Sequence, residues 1–498
     1  MNRLVVVSNR VPDPSAAGSQ AGGLAVALNG LMEKRGGIWF GWSGKVSSTV
    51  SNAPARVVTR GKVDFATIDL TREEYDRYYS NHANGVLWPL LHTMPGLMSF
   101  DRRDAQVYRD VNARFADALV PFLRPHDLVW VHDYHLLALP ALLRARHVWN
   151  PIGFFLHIPF PAPEVLAAAP EAPSLIRDLL AADLIGFQTD QDLQNFAAAA
   201  KALAGAIAVS QDSLQAEGHR IRLGEFPVEI DGREFAAMAA ASAKAPAIER
   251  LRRSLNGRKL VVGVDRLDPT KGLLQRLAGY RRLLETRREW RATVTWLQIA
   301  AVSRKEVAAY RELRLALERE TGAMNSELGE PDWTPLRLIA RAGERPAVAG
   351  FMREACVGLV TPLRDGMNLV AKEYIAAQDP DNPGVLVLSR FAGAARQLDS
   401  SVLVNPHDPD EMADGLDMAL RMPLSERRER WQSAWRAIGD ASPLVWGRSF
   451  LATLLRAALV GQAPAIRPKL RIERRADALP LLAGQTVSPG VPIPPQVN

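Results

Sequence analysis

The sequence feature that most constrains the fold is a repeated alternation of short apolar runs with longer segments of helical periodicity. The runs lie at residues 4–9, 127–133, 151–158, 184–189, 259–265, 293–300, 357–363, 384–389 and 401–406. Strands that are apolar at successive positions are typical of parallel sheets covered by helices on both faces. Because the alternation restarts after residue 255, the sequence predicts an α/β fold with two doubly wound domains.

The length of the chain supports the same division. Its 498 residues exceed what a single hydrophobic core usually contains. We predict an N-terminal domain over residues 1–231 and a second domain over 232–440. Residues 441–460 have the apolar spacing of a packed helix. Residues 461–498 contain seven prolines and a basic cluster, without usable periodicity, which predicts a disordered tail.

Composition excludes several classes of protein. The apolar runs end far short of the roughly 20 residues that a membrane helix needs. The first residues lead directly into a strand without a signal-peptide pattern, which predicts a cytoplasmic protein. The single cysteine, Cys356, permits no intrachain disulfide and no thiolate metal site. The net charge of +7 suggests anionic ligands, but the basic residues are spread along the chain and indicate no nucleic acid.

Polar residues collect where the predicted strands end. In open parallel sheets, ligands bind beyond the carboxyl ends of the strands. Three such segments lie in each half of the chain: SNR (8–10), HDYH (132–135), HIPF (157–160), DRLDPTKG (265–272), SR (303–304) and RDG (364–366). Their distribution over both halves predicts a binding cleft between two domains.

The glycine patterns exclude two common nucleotide sites. No G-x-G-x-x-G follows a strand and no G-x-x-x-x-G-K-[ST] occurs, which disfavours NAD binding and a P-loop. Gly22 and Gly23 open a helix after the first strand, where main-chain N–H groups can approach a phosphate. Arg266 and Lys271, five residues apart at a strand end, could hold a diphosphate through charge-assisted hydrogen bonds.

Carboxylates and histidines at the strand ends have more than one interpretation. Asp365 could cap the helix that follows it, and Glu373 could be a solvated helix residue, or both could bind ligand in the cleft. His132 and His135 could bind a metal, but only Asp133 is spaced to join them. We therefore predict that no metal is bound there.

Longer motifs point to a family. They are SNR, AGGLAVAL, WFGWSG, LWPLLH, WVHDYHLL, GFFLHIPFP, DRLD..KG, TPLRDGMNLVAKEY and AAQDPDNPGVLVLSRFAGAA. Together they resemble the trehalose-6-phosphate synthases, which are retaining glycosyltransferases with two Rossmann-like domains facing across a cleft (the GT-B fold). The resemblance runs from about residue 3 to residue 455. It implies that the helix over 441–460 packs back on the first domain.

The resemblance implies a nucleotide-glucose donor, usually UDP-glucose, held mainly by the second domain. Arg266 and Lys271 would bind its diphosphate. Gly22 and Gly23 would contact it from the opposite domain, and Asp365 would bind glucosyl hydroxyls. The remaining donor contacts would come from the Glu373 carboxylate, at the ribose, and from the main chain of Leu369, Val370, Ala371 and Lys372.

The implied acceptor is glucose 6-phosphate, and the product is trehalose 6-phosphate. Its phosphate would be bound by Arg10, Tyr79 and Arg304 near Trp42, its hydroxyls by Asp133, and its pocket would be shaped by Trp88. His157 would lie near the transferring glucosyl ring.

The implied chemistry is a front-face attack in which the donor phosphate helps to deprotonate the acceptor. Arg266 and Lys271 would offset the charge that develops on the leaving diphosphate, so neither metal nor cofactor is expected. With His157 and Asp365 they form the implied catalytic group. We expect a homo-oligomer, a dimer or tetramer, that binds neither nucleic acid nor membrane.

Two other functions stay open at this point. A relative that uses glycerol 3-phosphate would need the same phosphate-binding residues, and a non-catalytic relative would bind sugar phosphates only to regulate. Three departures from the family pattern occur: Pro269-Thr270 replaces Tyr-Ser, Glu229 replaces a glycine, and Gly343 stands where an aromatic residue is frequent. These departures concern the donor base and the turnover rate more than the type of reaction.

Overall fold

The computed structural model describes residues 2–13, 23–49, 54–304, 306–439 and 441–461. The tail predicted over 461–498 lies outside these ranges, except for Gly461, which ends the last helix. Gly22 also lies outside the described residues, whereas Gly23 begins the first helix.

The N-terminal half forms a ten-stranded sheet with the order β3-β4-β2-β1-β5-β6-β7-β10-β9-β8. Its strands are β1 Leu4–Arg10, β2 Gly37–Ser47, β3 Arg56–Arg60, β4 Val63–Thr71, β5 Leu128–His132, β6 Ile152–Phe155, β7 Leu184–Phe187, β8 Ile207–Ser210, β9 Ser213–Ala216 and β10 His219–Glu225. The central strands pair in parallel. Both edges are antiparallel hairpins, which the sequence analysis did not predict. Turns of two residues, as between β3 and β4, can join only antiparallel strands.

The C-terminal half forms a six-stranded sheet with the order β13-β12-β11-β14-β15-β16, in which all neighbours are parallel. Its strands are β11 Lys259–Leu267, β12 Val294–Val302, β13 Leu336–Ile339, β14 Val357–Val360, β15 Val385–Ser389 and β16 Val402–Val404. The predicted pair of doubly wound α/β domains is confirmed.

Helices cover both sheets. They are α1 Gly23–Arg35, α2 Arg72–Glu74, α3 Trp88–Leu91, α4 Arg102–Leu119, α5 Leu139–Ala145, α6 Pro163–Leu166, α7 Ala172–Leu179, α8 Asp190–Ala204, α9 Gly232–Ser242, α10 Pro246–Leu255, α11 Leu273–Thr286, α12 Ala308–Leu328, α13 Arg345–Glu354, α14 Leu369–Ala377, α15 Pro409–Arg421, α16 Leu424–Ile438 and α17 Pro443–Gly461. A π-helix spans Tyr75–Leu87. Among the described helices, none combines the length and apolar character required to cross a membrane.

Each sheet separates two apolar cores, as the sequence predicts for strands buried on both faces. In β1, Val5 and Val7 join one core while Leu4 and Val6 join the other. The side chains alternate because successive residues of a strand point to opposite faces of the sheet. The second sheet repeats the arrangement around β11.

Helix α17 packs back onto the first sheet. The Phe450 ring lies 4.5 Å from the Trp130 ring, centroid to centroid, at an interplanar angle of 12°. Gly153 and Gly186 make room for it, since a Cβ at either position would come within 2.6–2.7 Å of the Phe450 ring. Trp446 Nε1 donates to the Phe226 carbonyl oxygen over 3.1 Å. The chain therefore crosses from the second half back to the first.

Candidate active site

Side chains from the two halves meet between the sheets. Trp88 Nε1 donates to Asp268 Oδ1 over 3.3 Å. An Arg304 nitrogen donates to the Tyr134 hydroxyl over 2.9 Å, and the Arg304 guanidinium carbon lies 4.0 Å from the centroid of the Trp88 ring. The segments that follow β11 and β12 thus contact the first half, as the predicted cleft between two domains requires.

Asp268 is the fully buried carboxylate of this cleft. It accepts a hydrogen bond of 3.0 Å from the Tyr310 hydroxyl, and guanidinium nitrogens of Arg304 and Arg266 lie 3.6 Å and 3.7 Å away. Burial alone would raise the pKa of Asp268, but the charges of Arg304, Arg266 and Lys271 outweigh it and lower that pKa. One buried anion is therefore surrounded by three cations.

The acceptor-side residues named from the sequence form an aromatic cluster with two arginines. The Trp42 ring lies 5.7 Å from the Tyr79 ring, and the Arg10 guanidinium carbon lies 5.9 Å from the Trp42 ring. Tyr79 stacks on His135 at 5.7 Å and interacts electrostatically with Arg304. The structure therefore places the predicted phosphate contacts of both halves in one neighbourhood.

Asp133 and His157 face the cleft from the ends of β5 and β6. Asp133 has a positive φ of 75° and accepts a 3.2 Å hydrogen bond from the His157 main-chain N–H. Desolvation raises the pKa of Asp133 to about 6, against the opposing charges of Arg304 and Arg266. Desolvation also lowers the pKa of His157 to about 3, which keeps its ring neutral near pH 7.

The histidines considered as metal ligands have other neighbours. His132 Nδ1 lies 3.0 Å from His157 Nε2, and His135 packs between Tyr79 and Tyr134. Burial lowers the pKa of both His132 and His135 well below its usual value. The described residues contain no group of three His, Cys, Asp or Glu side chains suited to a metal ion.

On the donor side, Lys271 and Asp365 form an ion pair with each other. Asn368 Nδ2 donates to Asp365 Oδ2 over 3.0 Å. The residue at the start of α14 is Asn368, not Asp365, so the interpretation of Asp365 as a helix cap is wrong. Gly366 is required for a close approach, since a Cβ there would lie 2.3 Å from the His157 carbonyl oxygen.

Leu369, Val370 and Ala371 form the first turn of α14, next to Asn368 and Asp365. The Asn368 side chain makes no capping hydrogen bond to this turn. Main-chain N–H groups at the start of a helix can then bind an anionic ligand. Glu373 is partly buried rather than solvated, and desolvation raises its pKa to about 7 against the charge of Arg345.

The Lys372 side chain points away from the cleft. It is fully buried, and its Nζ donates to the Val228 carbonyl over 2.9 Å and to Glu229 Oε2 over 2.7 Å. Gln397 Nε2 donates to Glu229 Oε1 over 2.9 Å. Any donor contact from Lys372 must therefore come from its main chain.

Comparison with known proteins places these residues in a family. The model for glycosyltransferase family 20 matches residues 2–456. The chain belongs to this family.

Family 20 relatives share both the sequence and the fold. The trehalose-6-phosphate synthase of Sinorhizobium fredii is 45% identical over 453 residues, which cover 91% of this chain and 98% of the relative. An α,α-trehalose-phosphate synthase (UDP-forming) from Burkholderia vietnamiensis matches at 43% identity and a TM-score of 0.91, over 93% of this chain and 99% of that one. An α,α-trehalose-phosphate synthase (UDP-forming) from Burkholderia xenovorans, in complex with glucose-6-phosphate, matches at 46% identity and a TM-score of 0.88. The match covers 91% of this chain and 100% of that one.

Sequence reasoning missed two residues of this family 20 site. Asp268 lies between Arg266 and Lys271 in the motif DRLDPTKG, but no role was predicted for it. Its position between two predicted phosphate-binding residues could have indicated that it belongs to the site. Tyr310 had no such signal, because its link to Asp268 spans 42 residues.

The three departures from the family 20 pattern have different surroundings. Thr270 donates to Asp268 Oδ1 from its hydroxyl over 2.9 Å, so it supports the buried anion. Glu229 pairs with Lys372. Gly343 is exposed just before α13, and its effect on the donor base stays a prediction.

Proposed function

We propose that the chain transfers glucose, with retention, from UDP-glucose to glucose 6-phosphate and gives trehalose 6-phosphate and UDP. The observation that carries the proposal is the convergence of Arg304, Arg266 and Lys271 around Asp268 in the second half, while Tyr79 of the first half, near Trp42 and Arg10, approaches Arg304. Arg304 with Arg10 would suit the phosphate of the acceptor, and the neighbouring Arg266 and Lys271 would suit the diphosphate of the donor. A relative with bound UDP-2-fluoro glucose, 43% identical, supports this choice of donor.

The acceptor would lie between the two halves. Arg304 is nine-tenths buried and held by Tyr134 and Asp268, so it presents a fixed charge to the phosphate of glucose 6-phosphate. Arg10, which is exposed, would close on the same phosphate. Asp133 would accept hydrogen bonds from the sugar hydroxyls, and Trp88 would form the wall of the pocket.

The donor would meet the second half and the start of α14. Arg266 and Lys271 would bind the diphosphate, Asp365 the glucosyl hydroxyls and Glu373 the ribose hydroxyls. Since Lys271 and Asp365 pair with each other, donor binding would replace that ion pair by contacts to diphosphate and sugar. The remaining donor contacts would come from Gly22, Gly23 and the main chain of Leu369, Val370, Ala371 and Lys372.

In the transfer step the bond between glucosyl C1 and the diphosphate oxygen breaks, and C1 bonds to the acceptor hydroxyl on the same face. The hydroxyl proton passes to the leaving phosphate oxygen. Arg266 and Lys271 would stabilise the negative charge that grows on the diphosphate. The neutral ring of His157 would lie beside the glucosyl group without adding a charge.

Product analysis tests this function. The full chain is incubated with UDP-glucose and glucose 6-phosphate in a chelator, and the products are identified by mass spectrometry and NMR. We expect trehalose 6-phosphate without added metal. Turnover with glycerol 3-phosphate alone would instead identify a glucosylglycerol-phosphate synthase, and binding without any product would identify a regulatory relative.

Two substitutions separate the proposed roles. Arg304→Ala should mainly raise the KM for glucose 6-phosphate, because it removes a contact present before and during the reaction. Lys271→Ala should lower kcat by roughly 10²–10³, because the charge that it offsets grows during bond cleavage. Equal effects of both substitutions on the donor KM alone would contradict the assignment.

We also propose that the protein is cytoplasmic, which cell fractionation tests, and that it forms a homo-oligomer, which light scattering tests.

A further inference from the structure

Asn84 lies in the π-helix Tyr75–Leu87 and is not among the residues assigned to donor or acceptor above. Its side chain is buried, its Nδ2 donates to the Tyr79 carbonyl oxygen over 2.8 Å, and its Oδ1 accepts from the Tyr134 hydroxyl over 2.7 Å. A carbonyl oxygen can only accept a hydrogen bond, so the amide nitrogen must face Tyr79 and the amide oxygen must face Tyr134. The two neighbours thus fix one orientation of the amide.

The hydrogen bond to Tyr79 spans five residues, which is the spacing of the main-chain hydrogen bonds in a π-helix. Most π-helices are only a single turn long and many lie at functional sites. This one brings the rings of Tyr75 and Tyr79 to 5.3 Å from each other, and each lies 5.7 Å from the Trp42 ring. Asn84 therefore holds the turn that presents Tyr79, a proposed contact of the acceptor phosphate.

The hydrogen bond to Tyr134 links Asn84 to the second half of the chain. A tyrosine hydroxyl carries one hydrogen, and since Tyr134 donates it to Asn84, its oxygen is left to accept. That oxygen accepts from an Arg304 nitrogen over 2.9 Å. Burial raises the pKa of Tyr134 well above its usual value, which keeps the hydrogen in place. The guanidinium of Arg304, the proposed phosphate contact of the second half, is thereby held in a defined direction.

We propose that Asn84 is a positioning residue for the acceptor phosphate, because its buried amide orients Tyr79 directly and Arg304 through Tyr134. Asn84 itself is too deeply buried to contact a substrate. This inference rests on the proposed function, in which Tyr79 and Arg304 bind glucose 6-phosphate. Loss of the amide should therefore weaken binding of the acceptor and leave binding of the donor largely unchanged.

Asn150 provides a matched control. It is also a buried asparagine, and its Nδ2 donates to the carbonyl oxygens of Arg124 and Asp127 over 2.7 Å and 3.0 Å. It precedes β6, at the amino ends of the parallel strands, whereas the cleft lies at their carboxyl ends. Asn84→Leu and Asn150→Leu make the same chemical change at nearly constant size. A general loss of stability would appear in both variants, and a specific effect on the acceptor only in the first.

Initial-rate kinetics and calorimetry on the full chain test the proposal. Asn84→Leu should raise the KM for glucose 6-phosphate, and the Kd for glucose 6-phosphate measured with UDP present, by about tenfold. The KM for UDP-glucose should change by less than about threefold, and Asn150→Leu should leave both KM values unchanged. Equal KM values for glucose 6-phosphate in the two variants would overturn the proposal.

Tyr134→Phe tests the connection to Arg304. It removes the hydroxyl that lies between Asn84 and Arg304, so Asn84→Leu should raise the KM for glucose 6-phosphate by a smaller factor in this background than in the wild type. Equal factors in the two backgrounds would contradict the connection.

Thermal denaturation shows whether each variant is folded. If Asn84→Leu is not, Asn84→Asp replaces it, because it keeps the shape of the side chain and removes the donor to the Tyr79 carbonyl. A KM for glucose 6-phosphate equal to that of the wild type in Asn84→Asp would then overturn the proposal.

The wild-type protein separates this inference from the proposed function. If it forms trehalose 6-phosphate while the Asn84 variants keep its KM for glucose 6-phosphate, only the role of Asn84 is wrong. If it binds glucose 6-phosphate without forming trehalose 6-phosphate, the proposed function is wrong, and the Kd values of the variants still test Asn84. A wild type that does not bind glucose 6-phosphate would overturn both.

Discussion

Single residues in the cleft depend on the buried carboxylate of Asp268. It accepts hydrogen bonds from Thr270 and Tyr310 and holds Arg304 and Arg266 within 3.7 Å. Without this negative charge the guanidinium groups would repel each other and lose their common partner. The geometry of both proposed phosphate sites therefore depends on a residue that contacts neither substrate in the proposed arrangement.

Asp268→Asn should lower kcat/KM for glucose 6-phosphate by about tenfold to a hundredfold. The substitution keeps the size of the side chain but removes hydrogen bonds to a charged group, which contribute roughly 1.5–3 kcal/mol each. Steady-state kinetics measure the change. Asp332→Asn, which removes an exposed partner of Arg258, serves as the matched control. Equal kinetics in the two variants would show that Asp268 does not organise the cleft.

Glu373 makes stability depend on pH in a definite direction. Its pKa is raised from 4.5 to about 7, so between these values the folded protein binds more protons than the unfolded chain. The free energy of unfolding therefore falls as pH rises from about 4.5 to 7, by up to about 3 kcal/mol from this group. Denaturation of the wild type and Glu373→Gln across pH 4–8 measures it. The variant should lose stability less as pH rises, and parallel curves would contradict the prediction.

At the scale of elements, α14 is tied to the segment that joins the two halves. Its residue Lys372 donates to Val228 and Glu229, which follow the last strand of the first sheet. Burial lowers the pKa of Lys372, and the charge of Glu229 opposes that shift. The glutamate that departs from the family pattern thus stabilises a buried ammonium group beside the proposed donor site.

Glu229→Gln should reduce the free energy of unfolding by about 3 kcal/mol, because it leaves the Lys372 ammonium buried without its counter-ion. Chemical denaturation measures this change. The double variant Glu229→Gln, Lys372→Met should recover most of the loss, since it removes the buried charge as well. If the double variant were as unstable as the single one, the ion pair would not be the cause.

At the scale of the whole molecule, α17 joins the end of the described chain to the first sheet. Phe450 contacts Trp130 and fills the space above Gly153 and Gly186. The Trp446 indole N–H donates a hydrogen bond to the Phe226 carbonyl oxygen. The described chain thus crosses twice between the halves, at residues 226–231 and again before α17. Relative movement of the halves is constrained by both crossings.

Phe450→Ala should lower the free energy of unfolding by about 3–5 kcal/mol, because it opens a cavity in a fully packed core.

Ending the chain near residue 440 should lower the free energy of unfolding further, because it removes α17. Deletion of residues 465–498 should leave turnover unchanged. Turnover and melting temperature of the three variants, compared with the full chain, give the answer. A large loss of activity from the short deletion alone would mean that the tail contributes to the cleft.

The sequence by itself was sufficient for the two parallel sheets and the neighbourhood of the site, but not for the antiparallel edges of the first sheet. Strands such as β1 and β11 are recognised because their apolar residues are consecutive, and parallel strands place their carboxyl ends at one edge. Arg10 and Arg266 lie at the carboxyl ends of such strands, and Asp133 and Arg304 lie just beyond them. Their convergence therefore follows from local sequence together with a general property of parallel sheets.

Tertiary structure alone decided what each side chain contacts. Asp365 could have capped the helix that follows it, but Asn368 precedes the first residue of α14, and the Asp365 side chain pairs with Lys271, 94 residues earlier in the chain. The partner of the Lys372 side chain, Glu229, lies 143 residues earlier in the chain, so the donor contact predicted for Lys372 is left to its main chain. Local periodicity carries no information about such distant pairs. They form only when two separately folded surfaces pack together, and the packing then determines which charges are buried and which remain in the cleft.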